Sequence, residues 1–150
     1  MAMQQFSRSL PMMLNRTLDV VMPRFRKIFK EFGITEQQWR ILRVLWEVDE
    51  LPLGELADTT LIPAPSLVGI VDRLQTAKFV VRRPSKQDRR VVLVAATPAG
   101  RDLLQRLLPQ VATAYADLKL NVDPVIWQQL LDGLDAIAVL AEKNSNKQKR

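Results

Sequence analysis

The sequence predicts a mainly α-helical protein with one small β-hairpin. Most of the chain places apolar residues three and four positions apart, which is typical of amphipathic helices. Two segments rich in β-branched residues, FVVRR and RVVLVAA, flank a short polar loop, as the two strands of a hairpin do. Capping residues, prolines and glycines at the ends of the helical segments mark their boundaries.

The first helical segment covers about 20 residues, from Leu10 to Phe32, and its apolar positions form one stripe. Pro23 lies inside this segment and lacks a backbone donor, so we expect a kink there or a helix in two pieces. Gly33 supplies a stop signal.

A second helix is predicted from the pattern Thr35-Glu36-Gln37-Gln38, in which the threonine and glutamine side chains satisfy free amides at a helix start. Four apolar side chains are expected to face inward: Ile41, Leu42, Leu45 and Val48. Residues 51–53 surround a proline and are too few for more than an edge strand.

The central segment predicts two short helices joined by a tight turn. GELADTTL forms the first, the turn is IPAP, and the second starts near Pro65 or Ser66. Its core positions are Leu67, Ile70, Val71 and Leu74; its solvent-facing positions are Ser66, Val68, Gly69, Asp72, Arg73 and Gln75. A hairpin with a basic tip, PSKQDR, follows, so residues 35–96 are expected to form a winged helix-turn-helix.

Two further helices are predicted to start at Thr97-Pro98 and at Asp123-Pro124, each with a capping residue before a proline. A second kink is expected at Pro109, and the polar tail 144–150 is expected to be disordered. The helices at 7–32 and 98–143 carry more apolar surface than a small winged core can cover. We expect them to form a two-fold dimer, with an intrachain bundle as the alternative.

Composition limits the possible functions. The chain has no cysteine and no histidine, which removes disulfides, cysteine-based metal sites and the commonest general base. We therefore expect no enzymatic activity, metal or cofactor. A net charge of +6 suits a polyanionic partner. The sequence lacks a signal peptide and a long apolar run, so we expect a cytoplasmic protein, although a basic amphipathic helix over residues 10–32 leaves membrane binding open.

A helix-turn-helix followed by a basic hairpin suits duplex DNA, because the major groove admits the second helix while the hairpin tip reaches phosphates or the minor groove. Arg90 lies two positions after Asp88, so on an extended strand both side chains point to one side and the carboxylate can hold the arginine in place. The alternative is an ordinary exposed ion pair.

The segments TEQQWRIL, PSLVGIVDRL and DRRVVLVAATPAG, in this order, resemble the MarR family of bacterial winged-helix regulators over about residues 7–142. Within the family, RSLPMMLNR, VMPRFR and TEQQWR look most like the repressors of homoprotocatechuate (4-hydroxyphenylacetate) degradation operons. The resemblance implies a homodimeric repressor that binds a pseudo-palindromic operator on double-stranded DNA and is released by a small aromatic acid.

The resemblance also implies site residues. Its matching positions give DNA contacts at Ser66, Val68, Gly69, Arg73, Asp88 and Arg90, and the basic charge of the hairpin tip adds Lys86 and Arg89. The effector contacts would be Ser9, Met12, Arg16, Trp39 and Arg40. Met12 and Trp39 also fit ordinary core positions, and the Val68-Gly69 pair offers few hydrogen-bond donors to bases. An architectural DNA-binding protein without an effector is the alternative function, and it would bind operator and random duplex equally.

Overall fold

The computed structural model describes residues 5–148, and the side chains of residues 5–140. The described backbone forms six α-helices, one 3₁₀ turn and a three-stranded antiparallel sheet, which confirms the predicted fold class. The chain divides into two compact units between residues 111 and 112, inside one long helix.

The helices and strands alternate along the chain. The helices are α1 (Leu10–Glu31), α2 (Glu36–Glu47), α3 (Leu53–Thr60), α4 (Ala64–Thr76), α5 (Pro98–Lys119) and α6 (Pro124–Gln148). The strands are β1 (Leu51–Pro52), β2 (Val80–Pro84) and β3 (Val92–Ala96). The strand order is β1-β3-β2, so the two-residue β1 lies at an edge, as predicted.

Helix α1 is one continuous helix through Pro23, so of the two expected outcomes, a kink or a helix in two pieces, the second is wrong. It ends in a Schellman motif, in which the N–H groups of Gly33 and Ile34 each donate over 3.0 Å to the carbonyls of Lys30 and Phe29. Gly33 has a φ of 72°, the left-handed conformation that this motif requires. Only the C-terminal half of α1 is buried, through Phe25 and Phe29.

Helix α2 begins with the predicted capping box. The Gln38 N–H donates to Thr35 Oγ1 over 3.2 Å, and the Thr35 N–H donates to Gln38 Oε1 over 2.9 Å. Three of the four predicted core residues of this helix have no exposed surface: Ile41, Leu42 and Leu45. The prediction for Val48 is wrong, because the helix ends at Glu47 and Val48, in extended backbone, is 37% exposed.

The helices α2, α3 and α4 and one face of the sheet enclose the core of the first unit. Val80 at the start of β2 and Val94 in β3 are almost fully buried, and β2 pairs with β3 from Val80–Ala96 to Pro84–Val92. The turn after α3 passes through Leu61 in a left-handed conformation, with φ of 56°. Helix α4 starts at Ala64, one to two residues earlier than predicted, because Pro65 takes a place in its first turn.

Helix α5 begins as predicted, with Thr97 Oγ1 accepting the Gly100 N–H over 3.1 Å. The first turn of α5 lies against the backbone of Phe79, and the Thr97 N–H donates to the Phe79 carbonyl over 3.0 Å. A β-carbon at position 100 would overlap that carbonyl, so this approach requires glycine. The helix is continuous through Pro109.

The second unit contains the end of α5 and α6. Asp123 caps α6 as predicted, because its Oδ1 accepts the N–H groups of Val125 and Ile126 over 2.8 and 3.3 Å. Helix α6 continues to Gln148, so the predicted disorder is wrong for residues 144–148, and residues 149 and 150 lie outside the described part. Among the described helices, none is long and apolar enough to cross a membrane.

Candidate nucleic-acid interface

Helix α4 has one buried face and one exposed face. Its buried residues are the four that the periodicity predicts: Leu67, Ile70, Val71 and Leu74. Ser66, Val68 and Arg73 are exposed on the other side, and Gly69 is half-buried. A β-carbon at Gly69 would lie 3.9 Å from Nη1 of Arg73, so the arginine side chain reaches back over Gly69. The exposed face of α4 therefore carries the residues that were predicted to face solvent.

The loop between β2 and β3 is fixed by its own backbone hydrogen bonds. The Val91 N–H donates to the Asp88 carbonyl over 2.9 Å, which closes a tight turn at the tip. The Ser85 N–H donates to the Val91 carbonyl over 2.8 Å, and Ser85 Oγ accepts the Gln87 N–H over 3.2 Å. The loop therefore presents its tip in a defined conformation.

Asp88 and Arg90 form the predicted pair at this tip. Arg90 donates from Nε to Oδ1 over 3.1 Å and from Nη2 to Oδ2 over 3.2 Å, and its backbone N–H donates to Oδ1 over 3.0 Å. The expectation that both lie on an extended strand is wrong, because β3 starts only at Val92 and the pair closes across the turn. The Arg90 side chain, then its backbone N–H, hold the pKa of Asp88 below its ordinary value.

The wing is the hairpin of β2 and β3, and its tip is the loop of residues 85–91. The wing tip exposes three cations around the single carboxylate of Asp88. Lys86 and Arg89 are exposed, and the Arg90 side chain is 92% exposed even while it pairs with Asp88. An exposed guanidinium held by one acid keeps its outer N–H groups available for another acceptor. The tip can therefore contact phosphates or the edge of a groove.

Arg82 connects the wing to helix α4, and the sequence reasoning missed it. Its Nε donates to Gln75 Oε1 over 2.7 Å, and its Nη2 pairs with Asp72 Oδ1. The missed signal is strand alternation: in β2, Arg82 follows the buried Val80 by two residues, so it lies on the inward face and needs polar partners. These contacts hold the wing strand against α4.

The next residue, Arg83, anchors the wing at a different point. Its Nε donates to Glu50 Oε2 over 2.8 Å, just before β1. A concavity of about 560 Å³ lies beside this pair, between β1 and the wing loop, and Asp88 also lines it. The two carboxylates that line it, Glu50 and Asp88, are each paired with an arginine. These ion pairs therefore stabilise the wing and are not available to a ligand.

A second candidate site lies along α2. A groove of about 360 Å³, within the range of small-molecule sites, runs between α2 and the end of α3. It is lined by Trp39, Arg40, Arg43, Val44, Thr59, Thr60 and Leu61. The Trp39 ring stacks on Phe29 of α1, with centroids 5.1 Å apart, which fixes one aromatic wall.

The two arginines that line this groove have different partners. Arg40, the predicted effector residue, donates from Nη2 to Glu36 Oε1 over 2.9 Å, and Arg26 donates to Glu36 Oε2 over 2.9 Å. Burial alone raises the pKa of Glu36, but these two guanidinium groups outweigh it, and the pKa is lowered. Arg40 is therefore engaged within the chain.

Arg43, which the sequence reasoning missed, forms an ion pair with Glu47 but lacks a well-aligned hydrogen bond at Nη1. Its Nη1 is buried and lies 2.6 Å from Glu47 Oε1, but no acceptor in the described part of the chain meets it with hydrogen-bond geometry. Arg43 lies four residues after Trp39, so both side chains share one face of α2. That spacing was visible in the sequence.

The structure does not bring the whole predicted effector set together in one chain. Ser9 precedes α1, and Met12 and Arg16 lie in its first two turns, whereas Trp39 contacts Phe29. The thirteen residues from Arg16 to Phe29 extend about 20 Å along the helix. One small aromatic acid cannot span that distance.

Comparison with known proteins agrees with this geometry. The sequence profile of the MarR family matches residues 32–91, which run from α2 to the wing tip. The homoprotocatechuate degradative operon repressor of Escherichia coli is 33% identical over 132 residues, covering 88% of this chain and 89% of the repressor. The chain belongs to the MarR family. It is thus a DNA-binding transcriptional regulator and not an enzyme.

Two solved MarR-type structures are similar over nearly the whole chain. NadR in complex with 4-hydroxyphenylacetate has a TM-score of 0.78 and 33% identity, and the alignment covers 92% of this chain and 98% of NadR. The transcriptional repressor CouR, bound to a 23-mer DNA duplex, has a TM-score of 0.81 and 29% identity, with 92% and 98% covered. The MarR fold, including the winged helix-turn-helix, is therefore that of this chain.

Proposed function

We propose that this regulator is a homodimeric repressor that binds a pseudo-palindromic operator and is released by a small aromatic carboxylate. The observation that carries the proposal is the link made by Arg82, which joins the basic wing to helix α4 as one surface. The relatives support it: one represses a homoprotocatechuate operon, one is bound to DNA, and one is bound to 4-hydroxyphenylacetate. These likenesses support control of aromatic catabolism, in the cytoplasm, as part of the proposal.

On DNA, helix α4 would lie in the major groove with Ser66, Val68, Gly69 and Arg73 toward the bases. Lys86, Arg89 and Arg90 would contact the backbone or the adjacent minor groove, with Asp88 holding Arg90 in position. Because phosphate contacts displace counterions, affinity is expected to fall steeply as salt rises.

The exposed apolar residues support the dimer. In the first unit, the N-terminal half of α1 exposes Leu10, Met13, Leu14, Leu18 and Val20. In the second unit, α6 exposes Val125, Ile126, Leu130, Leu131, Ile137, Val139 and Leu140. Soluble monomers rarely expose so many large apolar side chains in succession, so each set is expected to be covered by a second copy. Two α4 helices would then meet successive major grooves, roughly 34 Å apart.

The effector is proposed to bind in the groove along α2. The face of Trp39 suits a flat ring, and the guanidinium of Arg43, whose Nη1 is buried, suits a carboxylate. Ser9, Met12 and Arg16 can complete this site only from the second copy, because they lie at least about 20 Å away from it along the same chain. An effector of this kind releases DNA only if it binds the DNA-incompetent spacing of the two copies more tightly.

The DNA part of the proposal is tested with the variant Arg90→Ala. Operator affinity is measured by fluorescence anisotropy at several salt concentrations, on a selected operator and on random duplex. The wild type is expected to prefer the operator by about a thousandfold or more, and Arg90→Ala to weaken both duplexes and reduce the salt slope by about one per wing. Equal affinity for both duplexes would favour the architectural alternative. An unchanged slope in Arg90→Ala would contradict the wing contact.

The effector part is tested by a thermal-shift screen of aromatic acids on the wild type, Arg43→Gln and Arg16→Ala. A binding acid is expected to raise the melting temperature of the wild type and of the control Glu47→Gln, which frees the Arg43 guanidinium. The shift should disappear in Arg43→Gln. A shift that survives in both arginine variants would contradict the proposed carboxylate anchors.

A further inference from the structure

The exposed face of the first two turns of α4 carries few hydrogen-bonding side chains. Ala64, Pro65 and Val68 are exposed and apolar, and Gly69 has no side chain. Ser66 is the one exposed hydroxyl in these two turns. In a helix-turn-helix, the N-terminal residues of the second helix meet the base edges, so this apolar face lies where bases are read.

The polar side chains farther along α4 are engaged within the chain. Arg82 holds both the carboxylate of Asp72 and the carboxamide oxygen of Gln75. The hydroxyl of Thr76 donates to the Asp72 carbonyl over 3.0 Å. Arg73 lies over Gly69, which leaves its guanidinium at the side of the helix. Direct hydrogen-bond reading of bases by this helix therefore depends mainly on Ser66 and Arg73.

A major groove also offers one apolar group, the 5-methyl of thymine. Val68 is the largest exposed aliphatic side chain in the first two turns, and 43% of its surface is accessible. Its branched carbon presents two methyl groups, and burying one methyl against another is favourable because both leave water. The pair needs no donor or acceptor from the protein.

We infer that Val68 reads the 5-methyl group of a thymine in each half-site, with Ala64 and Pro65 excluding water beside it. This inference rests on the proposed operator binding and adds the chemistry by which the operator is chosen. It requires an A·T pair at the position where the N-terminal half of α4 enters the major groove, with thymine on the strand that faces Val68.

The experiment starts with an operator selected by the wild-type protein from random duplexes. Each thymine of a half-site is then replaced by deoxyuridine, which removes the 5-methyl group and keeps the base pair. We expect one position per half-site at which this change weakens wild-type binding by about fourfold, the effect of one buried methyl group. In Val68→Ala, the same change should alter affinity by less than about twofold, because most of the contact surface is gone.

Two further variants serve as controls. Val81→Ala removes an equally exposed valine, 46% accessible, from β2 and should keep the full deoxyuridine effect. Val68→Thr keeps one methyl of the branched side chain and should restore part of it. Because position 68 is exposed, unfolding curves of all variants are expected to coincide closely with that of the wild type.

The outcomes separate this inference from the proposed function. If selection yields no preferred sequence, both fail. If an operator is found but no thymine responds to deoxyuridine, or Val68→Ala keeps the full response, the inference alone fails. An operator that loses affinity with 7-deazaguanine and not with deoxyuridine would assign base reading to Arg73 instead.

Discussion

The variant Asp88→Asn separates two opposite explanations of the single acid at the wing tip. Asparagine keeps the side-chain oxygen that accepts the Arg90 N–H, so the turn is preserved, but it loses the charge that binds the guanidinium. If Asp88 only balances charge, the variant makes the tip more basic and DNA binding tighter. If Asp88 positions Arg90, the variant binds DNA more weakly although its net charge is higher.

The structure sets the size of both effects. The wing is solvent-exposed, and removing one negative charge about 10 Å from a phosphate in water, close to one Debye length, strengthens binding by less than about twofold. Loss of the pair frees a guanidinium held by two hydrogen bonds, on a side chain that is 92% exposed. Ordering this long side chain at the DNA surface then weakens binding by about three- to fivefold per wing. A net loss is therefore expected.

The assay is fluorescence anisotropy on the selected operator, with Asp102→Asn as the matched control. Asp102 also pairs with an arginine, Arg106, over 3.2 Å, but it lies on α5, so its removal changes net charge by the same amount without touching the wing. The positioning role predicts weaker binding for Asp88→Asn and unchanged or slightly tighter binding for Asp102→Asn. Equal or tighter binding of both variants would refute it.

Three further predictions concern stability. Arg82→Lys keeps the charge but replaces the planar fork that holds Asp72 and Gln75, so urea denaturation should show a loss of about 1 kcal/mol, and an unchanged midpoint would contradict the clamp. Gly100→Ala should cost about 1–3 kcal/mol through overlap with the Phe79 carbonyl, whereas Gly54→Ala, with open space around it, should cost nothing. Stability should stay constant from about pH 8 to 5, since the chain has no histidine, and should fall below about pH 4. The pKa of Glu36 is lowered in the folded state, so its ion pairs stabilise the fold above its ordinary pKa and are lost on acidification. This loss of stability should be less steep in Glu36→Gln.

Helix ends could be predicted from the sequence because they depend on neighbours in the chain. Backbone N–H groups two or three residues farther along donate to the side chains of Thr35, Thr97 and Asp123. Each interaction therefore lies within four consecutive residues. The same holds for the turn at Asp88 and Arg90. There the ion pair was predicted correctly although the predicted strand conformation was wrong, because residues two positions apart lie close together in a turn as well as on a strand.

Contacts between distant segments were not predictable in the same way. Arg82 reaches Asp72 and Gln75 only because β2 packs beside α4, and no local pattern records that packing. The choice between Arg40 and Arg43 depends on a local pattern. Arg40 follows Trp39 directly and therefore points about 100° away around the helix, whereas Arg43 lies one turn later on the same face.

The C-terminal tail shows that polar composition does not by itself predict disorder. The sequence predicts no core residue in 144–148, yet these residues continue α6. The segment after Gly133 contains no proline or glycine to end the helix. The absence of a stop signal therefore outweighed the absence of an apolar stripe.

Two consecutive arginines explain why the wing and helix α4 should act as one reading unit. Successive residues of a strand point to opposite faces, so Arg82 reaches α4 while Arg83 reaches Glu50 beside β1. Moving the wing relative to α4 would break the contacts of Arg82, and moving the whole hairpin would also break that of Arg83. An effector that binds along α2 can avoid these costs if it changes the spacing between two copies and leaves each reading unit intact. This favours release by spacing over release by rearrangement within one wing.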